Sequence, residues 1–363
     1  MTNAFSLLSP RLISLLIGAA TSLGAQPLFT FTEIPTLGGI YSEAGAINNS
    51  GLVVGSSSYP SASTPTTFSL SGGLIDISST TSSTFSPNSV NASGQMAGTG
   101  NASGYEGAFT YSLAGGFVNL GTLGGNSSTA KGLNDSGQIV GSSTNASGDT
   151  RAFSYTSGGG MVDIGTLSGH AEATAYAVNN SGMIVGSSWI WTISGVTERA
   201  FSYTTAGGMI DLGSAFIPVA LNNSGQMAGS STGSHAVFYS TGTGLVDLGT
   251  LGGESSYGYG INSAGEVVGT SRDENDDYHA FYYTGGTMYD LNDLVTLTNG
   301  WVLYQAKGIN DLGQIVGIAD DGFGNGRAFL LTPIPEPSTY ALFFGLGALG
   351  LAGCLSRRCR WRR

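Results

Sequence analysis

The chain has 363 residues, of which 59 are glycine, 40% are hydrophobic and only 10% are charged. The apolar fraction excludes a disordered linker, and its combination with glycine is typical of many short strands joined by tight turns. The formal net charge is −11, and residues 28–332 carry 22 acidic against six basic side chains, so charge repulsion argues against a nucleic-acid partner. Both cysteines, Cys354 and Cys359, lie near the C-terminus, so residues 28–332 hold no disulfide or cysteine metal site.

The N-terminal segment is typical of a secretory signal peptide. Arg11 precedes the uncharged stretch LISLLIGAATSL, and the small residues Gly24 and Ala25 follow it. A basic start, an apolar middle and a small-residue cleavage site are the three parts of such a peptide. We therefore predict a signal peptide over residues 1–25; a buried first helix is the alternative.

A motif of an apolar residue, asparagine, two residues, glycine, three residues and glycine occurs seven times in the middle of the chain. Its asparagines are spaced 43, 43, 45, 43, 40 and 48 residues apart and are Asn48, Asn91, Asn134, Asn179, Asn222, Asn262 and Asn310. Self-similarity at this period is the signature of a repeat architecture.

Each repeat predicts four short strands. The Asn-x-Ser-Gly stretch predicts a hairpin turn after the first strand. The second strand carries paired apolar residues such as Ile139 and Val140 and ends at Gly141, where the missing side chain would let neighbouring sheets approach closely. The third strand alternates aromatic residues, and the fourth is a segment such as MVDIG. Four strands in about 43 residues is the size of a propeller blade, so the fold class is all-β, a seven-bladed β-propeller; a seven-turn β-solenoid is the alternative.

The two ends of the array are incomplete in complementary ways. The segment Thr32 to Gly39 aligns on the fourth-strand segment Val246 to Gly253, but no first three strands precede it. The seventh repeat ends at Leu331 without a fourth strand. We therefore predict that residues 28–35 pair antiparallel with residues 327–331 and close a ring that spans residues 28–332.

An Ala-Phe-aromatic line also recurs, as in GAFTY, RAFSY and HAFYY. With the asparagine motif, these lines resemble the extracellular HAF repeat family, named for the triplet that stands here as His279-Ala280-Phe281. The resemblance covers roughly residues 30–332 and implies an extracellular location and a repeat fold.

The C-terminal residues 333–363 have three ordered parts. Pro335-Glu336-Pro337 precede an uncharged run over residues 340–355, which predicts a transmembrane helix. Five arginines follow this run: Arg357, Arg358, Arg360, Arg362 and Arg363. This order resembles the PEP-CTERM sorting signal, which implies processing by an exosortase-type membrane protease in a Gram-negative bacterium that makes exopolysaccharide. A permanent single-span anchor is the alternative.

The residues that bear chemistry do not suggest an active site or a cofactor. His235 and His279 stand at a repeat position that holds arginine in other copies, so we interpret them as structural. In the acidic loop, Asp273, Asn275 and Asp277 are weak candidates for a calcium site, but the glycine and the final glutamate of a calcium loop are missing. A solvated turn is the favoured interpretation, and no metal is expected.

Four aromatic residues are candidates for stacking on sugar rings: Trp189, Trp191, Tyr257 and Tyr259. Packing against a neighbouring blade is the alternative for each of them.

Together these features predict an exported, non-enzymatic surface or extracellular-matrix scaffold or binding module, with exopolysaccharide as a possible partner. The alternative is a glycan-active propeller enzyme, a hydrolase or a lyase, with catalytic groups from several blades at the central channel. Charged residues that occur in one repeat only fall mostly in connections, which favours the scaffold.

Overall fold

The computed structural model describes residues 29–59, 62–77, 84–102, 105–298 and 300–335. In these ranges the chain forms seven four-stranded antiparallel sheets. The first strand of each sheet contacts the first strands of both neighbouring sheets, and the seventh sheet contacts the first. The sheets therefore form a closed ring around an axis. The predicted seven-bladed β-propeller is confirmed, and the β-solenoid alternative is wrong.

Strand β1 (Phe29–Glu33) precedes the first blade, and every other strand follows in chain order. From the axis outward, blades 1 to 3 contain β2 (Ser42–Ile47), β3 (Val53–Tyr59), β4 (Ala62–Ser69), β5 (Gly73–Asp76); β6 (Thr84–Val90), β7 (Met96–Ala102), β8 (Tyr105–Ser112), β9 (Gly116–Asn119); and β10 (Gly124–Leu133), β11 (Ile139–Asn145), β12 (Thr150–Thr156), β13 (Gly160–Gly165). Blades 4 to 6 contain β14 (Glu172–Val178), β15 (Ile184–Thr192), β16 (Gly195–Thr204), β17 (Gly208–Gly213); β18 (Phe216–Leu221), β19 (Met227–Ser231), β20 (Ala236–Ser240), β21 (Gly244–Asp247); and β22 (Gly252–Ile261), β23 (Val267–Asp273), β24 (Tyr278–Thr284), β25 (Thr287–Asp290). Blade 7 contains β26 (Val302–Ile309), β27 (Ile315–Asp320), β28 (Gly326–Pro333) and, outermost, β1; a short 3-10 helix (Leu291–Leu294) precedes it.

The core lies between adjacent sheets, which explains why the second strand carries two apolar residues in succession. Neighbouring residues on a strand point to opposite faces of the sheet. Ile139 belongs to a core cluster that includes Ala108 of blade 2, whereas Val140 belongs to a cluster that includes Phe201 of blade 4. Both residues are fully buried. Since each sheet is covered on both faces, apolar residues recur without strict alternation.

The glycine that ends the paired apolar residues has a role within its own sheet. A Cβ on Gly141 would lie 1.9 Å from the carbonyl oxygen of Thr129, on the adjacent strand β10. A β-bulge between Ala130 and Gly132 brings that carbonyl inward. Neighbouring sheets approach closely at Gly132, where a Cβ would lie 3.0 Å from the Cα of Ala177 in blade 4. The nearest contacts of Gly141 are thus within its own sheet, whereas its equivalent Gly229 also lies against Gly258 of the neighbouring sheet, as the sequence predicts.

The ring closes as the incomplete ends of the array predict. Strand β1 pairs antiparallel with β28, and Phe31 lies opposite Leu331. The ring of Phe31 packs edge-on against Trp301, with the centroids 5.1 Å apart, and Phe29 packs in the same way against Tyr282 at 5.7 Å. β1 thus covers the unpaired edge that β28 would otherwise expose.

The described residues include no helix that is long and apolar enough to cross a membrane. Two predicted segments lie outside the described residues: the signal peptide over 1–25 and the transmembrane helix over 340–355.

Candidate functional site

The repeat asparagines close a turn and also join two blades. The Oδ1 of Asn134 accepts the backbone N–H of Gln138 at 2.9 Å, within its own turn. Its Nδ2 donates to the backbone carbonyl of Asn179 in the next blade at 3.0 Å. The same bond recurs at all seven blade junctions at 2.9 to 3.4 Å, and the bond from Asn310 to Asn48 completes the ring. Asparagine suits this position because its carboxamide both accepts and donates.

The residues that follow these asparagines form the mouth of the axial channel, a cavity of about 230 Å³. At five junctions the backbone N–H of one such residue donates to the side-chain oxygen of its counterpart in the next blade, at 2.8 to 2.9 Å. The two other junctions lack this bond because the next blade presents alanine or serine. In order around the mouth, these residues are Asn49, Ala92, Asp135, Asn180, Asn223, Ser263 and Asp311.

Two of the mouth residues are carboxylates, on opposite sides of the channel. Asp135 accepts from the side chain of Asn180, and Asp311 accepts from the side chain of Asn49 at 2.8 Å. Partial burial raises the pKa of Asp311, but hydrogen bonds from Ser263 and Asn49 outweigh burial and hold the pKa below its usual value. The mouth is therefore polar and negatively charged.

Below the mouth, the bulge in each innermost strand inserts one extra residue, and in blades 2 and 7 its side chain bonds to the next blade. Asn88 donates to the carbonyl of Ala130 at 2.9 Å, and the Lys307 ammonium lies 3.0 Å from Glu43. Because both faces of each sheet are covered, the solvent that reaches these half-buried side chains is that of the axial channel. In blade order, the bulge residues are Gly45, Asn88, Lys131, Tyr176, Val219, Tyr259 and Lys307.

The chain's two lysines occupy equivalent positions in blades 3 and 7 but differ in their partners. Lys307 forms an ion pair with Glu43, which also accepts from the Tyr41 hydroxyl at 3.1 Å. Burial raises the pKa of Glu43, but the Lys307 ammonium and hydrogen bonds from Tyr41 and Ser56 together outweigh burial and lower it. Lys131 has no carboxylate within 4.0 Å in the described part of the chain, and its ammonium lies 5.5 Å from the centroid of the Tyr176 ring. Burial lowers the pKa of Lys131.

Sequence reasoning missed this inner wall. It placed the charges that occur in single repeats mostly in connections, yet Glu43 and both lysines lie on innermost strands. The available signal was the shared motif Ala-Lys-Gly-Leu/Ile-Asn-Asp, which occurs at 130–135 and 306–311. Its significance depends on the bulge, because both lysines are the extra residue that the bulge inserts in an innermost strand.

The four aromatic candidates lie on two different blades. Trp189 and Trp191 are on the hairpin that joins β15 to β16 in blade 4, where Trp189 is half-buried and Trp191 is 70% exposed. Tyr257 and Tyr259 are half-buried on β22, the innermost strand of blade 6. The structure does not bring the two pairs together.

The acidic loop is an Asx turn. The Oδ1 of Asp273 accepts the backbone N–H of Asn275 and of Asp277, both at 2.9 Å. Asp276 pairs with Arg272. Among the described residues, no group of three or more histidine, cysteine or acidic side chains is arranged to hold a metal ion. These contacts are those of a solvated turn, which is the interpretation of this loop that the sequence favours.

The histidines that replace arginine also have structural partners. His235 lies 2.8 Å from Asp247, and Arg151 and Arg199 pair with the equivalent Asp163 and Asp211 at 3.0 and 2.8 Å. His279 lies 2.5 Å from Asp290 in the same way. Each pair joins the third strand of a blade, or the residue just before it in the case of His235, to the fourth strand.

Two family models match the sequence of the chain. The family described as "Protein of unknown function (DUF3466)" matches residues 127–326, more than half of the chain. The chain belongs to this family. A PEP-CTERM protein-sorting motif matches residues 333–360 of the chain. This motif is recognised by exosortase and is found in exported proteins that are first anchored in the membrane and then surface-bound.

Solved structures resemble the DUF3466 protein in fold. Virginiamycin B lyase from Staphylococcus aureus is 12% identical with a TM-score of 0.50, and the match covers 84% of this chain and 100% of the lyase. Acylaminoacyl peptidase from Pyrococcus horikoshii is 8% identical with a TM-score of 0.53, and the match covers 84% of this chain and 54% of the peptidase. At these identities the likeness shows the fold alone. No curated protein matches the DUF3466 protein.

The sorting motif starts on the face of the disc that holds the channel mouth. It begins at Pro333, the last residue of β28. The ring of Pro333 lies 3.1 Å from the place of a Cβ on Gly313, in the turn that follows Asn310. The Trp191 hairpin joins the other ends of its strands and so projects from the opposite face.

Proposed function

We propose that the protein is a non-enzymatic binding module exported to the cell surface or the extracellular matrix, with a glycan as its ligand. A signal peptide over residues 1–25 directs export, and an exosortase-type protease removes the tail. On this proposal the repeats are of the extracellular HAF type, and the host is a Gram-negative bacterium that makes exopolysaccharide. The sorting motif over residues 333–360 supports export and processing.

The observation that carries the binding role is the exposed hairpin tip of blade 4. Trp191 is 70% exposed there, and Ile193 at the tip is fully exposed. An indole that presents an apolar face and a polar N–H to solvent suits stacking on a sugar ring. The hairpin lies on the face opposite the tail, where a tethered disc would meet its surroundings.

A glycan array probed with the mature protein, with and without calcium, tests this proposal. We expect binding to a defined set of glycans and its loss in Trp191→Ala. Leu113→Ala is the matched control, because Leu113 is an exposed apolar residue on the mouth face. An array without binding, or equal binding by the two variants, would reject the role of this hairpin in glycan recognition.

The processing step is tested by intact-mass measurement of material from the host's surface. We expect a mass that lacks residues 340–363. Recovery of the complete tail in that fraction would favour the permanent anchor.

One observation favours a glycan-active enzyme as the second candidate. Glu43 occurs in one blade, Lys131 and Lys307 occupy the same position in two of the seven blades, and all three lie on innermost strands, close to the axis where catalytic groups of several blades would converge. Incubation with the array-positive glycan distinguishes the two: new reducing ends or unsaturated uronate products indicate an enzyme, and an unchanged glycan indicates a binding module.

A further inference from the structure

The inner wall of the channel holds one ammonium group without a carboxylate partner in the described residues. Lys131 is half-buried between blades 3 and 4, and its Nζ lies 5.5 Å from the centroid of the Tyr176 ring. A cation that is partly removed from water is stabilised by a negative partner, and without one its pKa falls. Burial accordingly lowers the pKa of Lys131. The tyrosine ring attracts the cation only weakly.

The junction between blades 7 and 1 shows what an internal partner looks like. There Lys307 extends from the same bulge position and reaches Glu43 at 3.0 Å. The register against the second strand places Glu43 opposite Ser56 and Thr174 opposite Ser187. Thr174 is therefore the equivalent of Glu43 in blade 4, and no carboxylate completes the site around Lys131.

We propose that Lys131 binds the carboxylate of a sugar acid that enters the axial channel, so that the ligand supplies the negative charge that Glu43 supplies to Lys307. This inference rests on the proposed glycan-binding function and adds the class of sugar. The ligand is otherwise neutral, because Asp135 and Asp311 at the mouth and the acidic body repel a polyanion. A single lysine offsets a single carboxylate.

The neighbouring side chains favour a sugar acid over an acidic peptide. The wall beside Lys131 carries the carboxamide of Asn88 and the ring and hydroxyl of Tyr176. Carboxamides and hydroxyls exchange hydrogen bonds with sugar hydroxyls, and an aromatic ring contributes an apolar face. An acidic peptide would bring several carboxylates to a channel with one unpaired cation in its described wall.

Calorimetric titration of the mature protein tests the inference with glucuronosyl-β-1,4-glucose and its neutral counterpart cellobiose. We expect the acid disaccharide to bind more tightly by roughly tenfold, equivalent to about 1.4 kcal/mol. In Lys131→Met this preference should disappear, and in Lys131→Arg, which keeps the charge, it should remain. The double variant Lys307→Met/Glu43→Gln, which removes the paired site without leaving a buried charge, should keep the preference. Unchanged melting temperatures establish that the variants are folded.

The outcomes separate this inference from the proposed function. Equal binding of the two disaccharides, or an acid preference that survives in Lys131→Met, would overturn the carboxylate site while leaving glycan binding intact. Absence of binding to every glycan on the array would reject both. A glutamate-containing dipeptide that binds as tightly as the acid disaccharide and depends on Lys131 would overturn the assignment to a sugar.

Discussion

The repeat asparagine performs two tasks at each blade junction. Its Oδ1 holds the hairpin turn, and its Nδ2 holds the next blade, as Asn134 does with Gln138 and with the Asn179 carbonyl. Aspartate has the same shape and could still accept from the turn, but it has no donor for the neighbouring carbonyl. Elsewhere in the molecule, Asp273 and Asp320 close equivalent turns where no second blade must be bound.

Asn134→Asp should therefore lower the free energy of unfolding by about 1–3 kcal/mol, because a buried carbonyl loses its donor and a charge is buried beside it. Denaturant unfolding measures the effect. Asn119→Asp is the control: the Oδ1 of exposed Asn119 accepts the backbone N–H of Gly121, as Asp163 and Asp211 do at the same position in other blades, and a change within about 0.5 kcal/mol is expected there. Equal losses in the two variants would show that the bond between blades contributes nothing.

Asp321 gives the fold a defined dependence on pH. The amide of Asn325, two backbone N–H groups and Arg327 lower the pKa of this carboxyl from 3.8 to about 2. Because the pKa is lower in the folded protein, the carboxylate stabilises the fold above pH 3.8, and this stabilisation is lost as the pH falls through about 2. Asp321→Asn should therefore melt below wild type near neutral pH, and the difference should shrink below pH 3.8. Asp293→Asn, at an exposed site, controls for the loss of one charge; a difference that grows in acid would contradict the account.

The glycine in the second strand of a blade makes the bulge in the first strand possible. A Cβ on Gly141 would lie 1.9 Å from the Thr129 carbonyl oxygen, a contact that real side chains do not make. Gly141→Ala should therefore cost about 3 kcal/mol by overpacking, measured as the shift of the denaturation midpoint. Gly158→Ala is the control, because a Cβ there meets nothing within 4 Å. Gly148 would not serve as a control, because its φ of +88° strains the backbone of any residue with a side chain. Equal shifts for Gly141→Ala and Gly158→Ala would refute this packing role.

Strand β1 stabilises the whole disc although it lies at one end of the chain. Its removal would expose Phe329 and Leu331, both fully buried now, together with the open edge of β28. Deletion of residues 26–36 should lower the melting temperature of the complete transition, because the seventh blade anchors both its neighbours. Thr30→Ala, at an exposed position of β1, is expected to change stability by less than about 0.5 kcal/mol. A deletion variant that melts like wild type would contradict ring closure.

The number of blades, the order of their strands and the closure by β1 could be predicted because each leaves a repeated or complementary pattern in the sequence. The partner of the Asn134 amide could not, since it lies 45 residues away and is defined only once the blades are placed around an axis. The channel wall was missed for the same reason. A strand pattern shows which residues alternate, but a bulge at Lys131 changes the direction of its side chain.

The positions of the tail and the Trp191 hairpin determine which face of the membrane-tethered propeller points outward. Only four residues separate Pro335 from the predicted span that begins at Tyr340. Even fully extended, this connection reaches about 17 Å. If residues 340–355 span the membrane as predicted, we expect the channel mouth to face the membrane before processing and the Trp191 hairpin to face outward.

Cysteine labelling of the full chain in liposomes tests this display most directly, because residues 28–332 contain no cysteine. In a Cys354→Ser/Cys359→Ser background, Ser194→Cys places a thiol at the hairpin tip and Leu113→Cys places one on the mouth face. With a bulky polymer maleimide, we expect Ser194→Cys to react at the same rate in liposomes and in detergent, and Leu113→Cys to react several-fold more slowly in liposomes. Equal rates at both sites, or protection of Ser194→Cys instead, would contradict a disc that displays the Trp191 hairpin on its outward face.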